Sequence, residues 1–381
     1  MLGAAILFAA VFPVFAQDAG GMDLDIIKDV PGGWTDPNAP AGAAGEAHPL
    51  AKDFESALNA YRDRDYVQAR EKWGALTDAG HGLSMHNLAV LKWRGQGGPR
   101  EREQALDLFR DAGQNEVPES LHALGVVYLK GAGVPPDPAE AVRYFEAADG
   151  LDHPPSTYNL ALAHLKGIGG VDDKDVGMQL MQKAAEAGLA RAQYDLGTLL
   201  YQGTYGPADK KAARTWFERA AAGGDAFGYY NLALMQFAGE GGGKDHERAV
   251  MNLTEAAEMG AIPAQVRLAH LLATGEGGIR KDPVGAYVWF TVAGAFGAED
   301  ALENAKRISR TLSETQLKRA RQTAAAFRPK QPQVAEDTAE NTGPAADAPD
   351  MVIDKTPGPD TGAPSDKDAK AADDLLKSLE K

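Results

Sequence analysis

Cysteine is absent from the 381 residues, and with it every disulfide, thiolate zinc site, cysteine nucleophile and lipid-bearing thiol. A surplus of positive charge is lacking too. The formal net charge is −15, whereas nucleic acid asks for a basic surface to meet its phosphates, and an anionic membrane surface is disfavoured for the same reason. No H-E-x-x-H segment occurs, and the eight histidines are scattered without a carboxylate spacing that would close a metal site. No metal and no cofactor is expected. The apolar run at 1–16, MLGAAILFAAVFPVFA, is too short to span a bilayer comfortably. It ends in Val14, Phe15 and Ala16, the small-residue pattern that precedes signal-peptide cleavage, but no Lys or Arg stands before it as the positive region of an export signal. The expectation is export to the periplasm with a mature N-terminus near Gln17 and no membrane insertion after cleavage. An extracellular location, or tethering by an uncleaved segment, is the alternative.

What the sequence does contain is a repeat. Leu88, Leu124, Leu160, Leu196, Leu232 and Leu268 follow at steps of 36 residues, and seven places after each comes a glycine: Gly95, Gly131, Gly167, Gly203, Gly239 and Gly275. A small residue follows every anchor leucine (Ala89, Gly125, Ala161, Gly197, Ala233 and Ala269). A period in this range means a solenoid. In the clearest copy, Ser120, Leu124, Val127, Tyr128 and Gly131 carry the spacing of one helical face, which predicts a helix A ended by Gly131. Asp137 and Pro138 then restart a helix as N-cap and first residue, with Glu140 three places after the cap. Helix B carries Ala141, Tyr144, Phe145 and Ala148 on one face. The sixth copy of that face, Ala286, Trp289, Phe290 and Ala293, is displaced by one residue, as a loop one residue longer explains. Helices this short cannot bury their apolar face alone, so stacked neighbours supply the core.

These residues resemble a known family, the Sel-one-like repeat, a relative of the tetratricopeptide repeat with a longer glycine-bearing loop between its helices. The pattern is clearest in A-x-Y-D-L-G at 192–197, Gly203, and A-x-x-W-F-x-x-A-A at 213–221, and it extends over residues 83–297. The resemblance implies an all-α, right-handed α-solenoid of antiparallel helix pairs that binds other proteins, and it implies no enzyme. Gly177 and Met181 in the third copy, and Val266 where most copies carry Tyr or His, depart from the pattern.

The expected organisation places a signal peptide at 1–16 and a disordered linker rich in Gly, Ala, Pro and Asp at 17–50. An opening tetratricopeptide-like repeat follows at 51–82, then six long-loop repeats at 83–297. Two capping helices cover 298–327, divided at Ser313, where Ser313 and Gln316 fit a capping box. An acidic disordered tail covers 328–381; between 329 and 381 there are 12 acidic and 6 basic residues.

Two segments imitate catalytic motifs. Gly239 to Asp245, GEGGGKD, approaches a phosphate-binding loop, but Ala238 stands where the first glycine belongs and Asp245 where Ser or Thr belongs, and a helix precedes it instead of a strand. Gly82, Ser84 and His86 brush against a nucleophile elbow, but His86 replaces the last glycine and the context is a helix start.

A stripe along helix A points to binding. Positions two before, two after and five after the anchor lie at about 160, 200 and 140 degrees from it, away from helix B. They read His86/Val90/Trp93, His122/Val126/Leu129, Tyr158/Leu162/Leu165, Tyr194/Thr198/Tyr201, Tyr230/Leu234/Phe237 and Val266/His270/Ala273. Two readings compete: packing against the next repeat, or a concave binding groove. The candidate protein-binding residues are His86, His122, Tyr158, Tyr194 and Tyr230, since Tyr joins apolar area to a hydrogen-bonding tip. Beside them stand Asn87, Asn159, Asp195 and Asn231, suited to a ligand backbone or to a neighbouring repeat. The function expected is a periplasmic interaction scaffold or regulatory adaptor holding a peptide segment or an envelope protein on the helix A face. The rival is a cell-wall-active hydrolase or penicillin-binding protein, a label given to cysteine-rich repeat relatives; no nucleophile with a base beside it supports it here.

Overall fold

A computed structural model describes residues 50–330. The signal peptide, the linker up to residue 49 and the tail from 331 lie outside the described residues. Within them the regular structure is helical, with sixteen α-helices, two short 3-10 turns and no strand. The chain divides into two compact units.

The first unit, residues 50–187, holds four antiparallel pairs: α1 (Ala51–Arg62) with α2 (Tyr66–Asp78), α3 (Gly82–Arg94) with α4 (Arg102–Gln114), α5 (Pro118–Lys130) with α6 (Pro138–Asp149), and α7 (Pro154–Lys166) with α8 (Lys174–Glu186). The second, residues 188–330, holds α9 (Ala190–Gln202) with α10 (Lys210–Ala222), α11 (Ala226–Ala238) with α12 (His246–Glu258), and α13 (Ile262–Thr274) with α14 (Pro283–Ala295). The last two helices, α15 (Glu299–Ser309) and α16 (Glu314–Ala325), both pack on α14.

The helix pair follows from backbone chemistry. Gly131 takes φ 70 and ψ 34, and its N–H donates to Val127 O. The N–H of Ala132 returns to the same carbonyl at 3.1 Å, so the left-handed cap consumes an acceptor that the helix end would leave open. A side chain at this cap meets the ring of Pro136, 2.6 Å from where a Cβ would lie. The N–H of Asp137 donates to Tyr128 O at 2.8 Å, tying the start of helix B to the last turn of helix A, and Asp209, Asp245 and Asp282 make the corresponding bond. The Asp137 side chain accepts from Glu140 N as N-cap, as expected, but the reciprocal half of a capping box is missing because Glu140 pairs with Arg143. At α16 the full box of Ser313 and Gln316 is present.

Between the two helices of a pair lies the core. Leu124 is fully buried, and Phe145 of α6 lies so close to Gly125 that an added Cβ would stand 2.5 Å from the ring. Gly197 meets Phe217 in the same way. That contact is why a small residue follows each anchor. After α16 the chain turns back: the Phe327 ring meets Trp289 edge-on, Lys330 N–H donates to Glu258 O at 2.7 Å, and the Lys330 ammonium pairs with Glu255 and Glu258. Contact with the unit thus continues three residues past the boundary expected at 327.

Candidate functional site

The helix A stripe behaves differently in the two units. In the first, the histidines expected in a groove are joints between repeats. His86 is 2 % exposed; its Nδ1 lies 2.7 Å from Ser120 Oγ in the next repeat, and its ring packs at 5.5 Å on Phe109. His122 repeats the arrangement with Ser156 Oγ at 2.9 Å and Phe145 at 5.6 Å, and Ser156 also meets His153 Nδ1 at 2.9 Å. His86 and His122, expected in a groove, are placed by the structure in buried contacts with the following repeat. A serine four places before the next anchor is small enough to admit the imidazole and polar enough to bond it. Burial, with His153 as a close neighbour, pushes the His122 imidazole well below its ordinary range, so it sits neutral.

Asn87 and Asn159 are closed off as well, being 0 and 1 % exposed. Neither amide atom of Asn87 and not the Oδ1 of Asn159 finds a partner, so the bond to a neighbouring repeat does not form at those atoms. Tyr158 is buried among the same helices and Asn231 is buried in the second unit. In this arrangement these four side chains are closed off from solvent and do not line an open groove.

Three candidates remain partly open, all in the second unit: Tyr194, Asp195 and Tyr230. Tyr194 rests against Phe217 and Phe227, with the Arg191 guanidinium 5.6 Å over its ring, and Asp195 holds Arg191 Nε at 3.2 Å. Burial pushes the Tyr194 phenol up to about 12, and the carboxylates of Asp195 and Asp225 add to it. Burial raises Tyr230 likewise. The structure adds two positions of the same stripe that are not among those candidates, Tyr201 and Phe237. Tyr201 donates to Glu240 at 2.5 Å under the ammonium of Lys210, and Phe237 lies between the ring of His246 at 4.4 Å and the guanidinium of Arg267 at 5.0 Å. Both sit five places after an anchor, so the 36-residue step marks them, but the cations over their rings come from other helices.

A second opening, of about 340 Å³, lies in the first unit between α2 and α4 over α3, with Gly74 and Asp78 on one side, Leu88 on the floor, and Asp107, Leu108 and Asp111 on the other. The paired serines and histidines carry the outline of a nucleophile with its base. Ser84, Ser120 and Ser156 are all fully buried, so no substrate reaches them. Among the described residues no group of three or more His, Asp or Glu side chains is placed to hold a metal ion, and no helix is long and apolar enough to cross a membrane.

Repeated helix pairs closed by left-handed glycine caps define a helical-repeat solenoid. Six copies of the Sel1 repeat match at residues 82–115, 118–148, 154–189, 190–225, 226–260 and 262–295, more than half of the chain, and the chain belongs to the Sel1 repeat family. Its fold is similar to that of a protective antigen present in uropathogenic Escherichia coli strains, which displays an SLR fold, with 24 % identity and a TM-score of 0.63. That match covers 77 % of this chain and 64 % of the antigen, so the chain spans somewhat under two thirds of that protein. A Sel1 repeat protein from Oxalobacter formigenes is similar at 25 % identity and a TM-score of 0.57, covering 64 % of this chain and 97 % of its own. No curated protein matches the sequence. Sel1 repeat proteins are generally non-enzymatic scaffolds for protein–protein interaction.

Proposed function

We propose that the protein is a non-enzymatic periplasmic scaffold or regulatory adaptor, and that it holds a peptide segment or an envelope protein against the helix A side of its second unit. The observation that carries this reading is the contrast between the units. At the same repeat positions, the first unit closes its rings into inter-repeat joints, while the second leaves Tyr194, Tyr201, Tyr230 and Phe237 half-buried. Half-buried aromatic rings with cations over three of them offer broad contact area at low entropic cost, the chemistry that recognition surfaces use. The buried state of the serine–histidine pairs supports the non-enzymatic reading.

A photo-reactive phenylalanine placed at Tyr201 or Tyr230 in living cells tests the site. The expected result is the same crosslinked envelope protein from both positions and none from Val67 or Met251, which are exposed elsewhere. Crosslinks of equal yield from all four positions, or from Val67 and Met251 alone, remove the site. Mass spectrometry of the mature chain tests export, and an intact Met1 in the cytosol refutes it. A labelled penicillin retained covalently by the purified protein would favour the hydrolase.

A further inference from the structure

The overall charge conceals a local reversal. Residues 50–187 hold 15 Lys or Arg against 21 Asp or Glu, whereas 188–330 hold 18 against 15. The excess is concentrated at the end of the second unit, where residues 304–330 contain eight Lys or Arg and a single acid, Glu314, after the acidic start of α15 with Glu299, Asp300 and Glu303. The reason lies in how α15 and α16 are used. Ala301, Ala305 and Ala320, with Ile308, Leu312 and Leu317, turn inward onto α14. That leaves Lys306, Arg307, Arg310, Lys318, Arg319 and Arg328 exposed, and none of the six forms an ion pair among the described residues. Elsewhere in the unit Arg191 pairs with Asp195, Lys210 with Glu240, Arg267 with Glu276 and Lys330 with Glu255 and Glu258, while cations without an ion pair among the described residues, such as Lys211, Lys244, Arg280 and Lys281, are not gathered on one helix pair. Burial depresses the His270 imidazole on α13, and Arg267 and Arg307 add to it.

We propose that this basic face of α15 and α16 is the docking surface for the protein's own acidic segment 331–354. Three observations select that occupant over a separate anion. First, the sign and density match: 331–354 contains six carboxylates, at Glu336, Asp337, Glu340, Asp347, Asp350 and Asp354, and no Lys or Arg before Lys355. Second, the segment starts close along the chain: Lys330, the residue before it, follows the end of α16 by five residues and is held at the C-terminal turn of α12. Third, it reaches: 24 extended residues span about 80 Å, against about 18 Å for the twelve residues of α16. Tethering raises the local concentration of the segment to roughly the millimolar range, so individually weak exposed ion pairs add up to occupancy without a tight interface. The docked segment neutralises the open end of the repeat stack, and an anionic ligand reaches α15 and α16 only by displacing it. This inference does not rest on the proposed helix A site.

The absence of cysteine makes the test clean, since Ala345→Cys in the full-length protein carries a single nitroxide. At low salt the spin-label spectrum is expected to show a slow component. That component should disappear at about 1 M salt, where screening acts over about 3 Å, and in the variant combining Arg307→Glu, Arg310→Glu, Lys318→Glu and Arg319→Glu. A second variant, Glu336→Lys with Asp337→Lys and Glu340→Lys, leaves α15 and α16 untouched and should lose the slow component equally, so a folding defect in the first variant cannot imitate the result. Tenfold dilution should leave it unchanged. A label that is mobile at low salt overturns the proposal, as does a slow component that survives either charge reversal. A slow component that falls on dilution assigns the surface to a second copy, and a mobile label on a protein that binds phosphatidylserine vesicles through the same arginines assigns it to a lipid surface; either result also overturns the proposal.

Discussion

Replacing Glu116 and Asp152 with glycine is expected to stabilise the first unit, because the turn from each helix B to the next helix A passes through a left-handed residue. Glycine fills that place at Gly80, Gly188, Gly224 and Gly260, but Glu116 and Asp152 stand there with φ 57 and 54. Their side chains are exposed, and no hydrogen bond or ion pair of either side chain is lost on substitution, so the balance is a backbone matter. The left-handed conformation costs a residue with a Cβ about 1 to 2 kcal/mol, and glycine gives back about 0.5 to 1 kcal/mol through the greater freedom of its unfolded chain. The net gain is about 0.5 to 1 kcal/mol per site, and about twice that for the pair, since turns this far apart share no partner. At about 2 to 4 °C per kcal/mol for a unit of this size, the double variant should melt about 2 to 8 °C higher. Far-UV circular dichroism follows the transition, with hydrogen exchange in α4 to α7 reporting the first unit alone. The reverse change, Gly80→Ala, adds a Cβ that meets nothing within 4 Å and should lower the same transition by about 0.5 to 1 kcal/mol, the same balance with its sign reversed. If Glu116→Gly destabilises while Gly80→Ala is neutral, backbone strain does not govern these turns.

The core makes sharper demands: Leu124→Ala should cost about 2 to 5 kcal/mol, and Gly125→Val should fail to fold or melt far lower, because its Cβ falls against the Phe145 ring; a parent-like melt of either refutes the packing described. Acid should act oppositely on the two units. The His122 pKa is held below its unfolded value near 6.5, so its contribution is present above that pH and is lost as pH falls below it, and His122→Asn should reduce the loss in melts followed from neutral pH downward. Asp225 is raised by burial from 3.8 to about 6, so its charge weakens the second unit above that value and the penalty fades as pH drops through about 6 toward 4; Asp225→Asn should remove this slope. The helix A tyrosines should also divide: Tyr158→Ala, 9 % exposed, should cost about 3 kcal/mol or more, whereas Tyr230→Ala should cost less in thermal melts and remove the crosslink instead, and equal losses would show that both are packing residues.

The repeat could be read without a structure because each of its parts is a local decision. A glycine seven residues after a leucine ends helix A through its own left-handed backbone, an Asp before a helical run caps helix B, and Ser313 with Gln316 closes a box within four residues. Such bonds link residues near in sequence, so the 36-residue period shows them directly, and the fold class, the anchors and the longer sixth loop follow from it. The stripe on helix A is another matter. Periodicity states that His86, Tyr158 and Tyr230 share a face of their helices, but not what lies against that face, since the same pattern serves a groove and a joint. Ser120 stands 34 residues from His86 and decides that His86 is buried. The cation over Phe237 comes from Arg267 on another helix, and Lys330 finds Glu255 across 75 residues of chain. Burial and partnership at these positions depend on how neighbouring helix pairs stack, which is set by the summed shapes of side chains from separate repeats, and only the tertiary structure contains that sum.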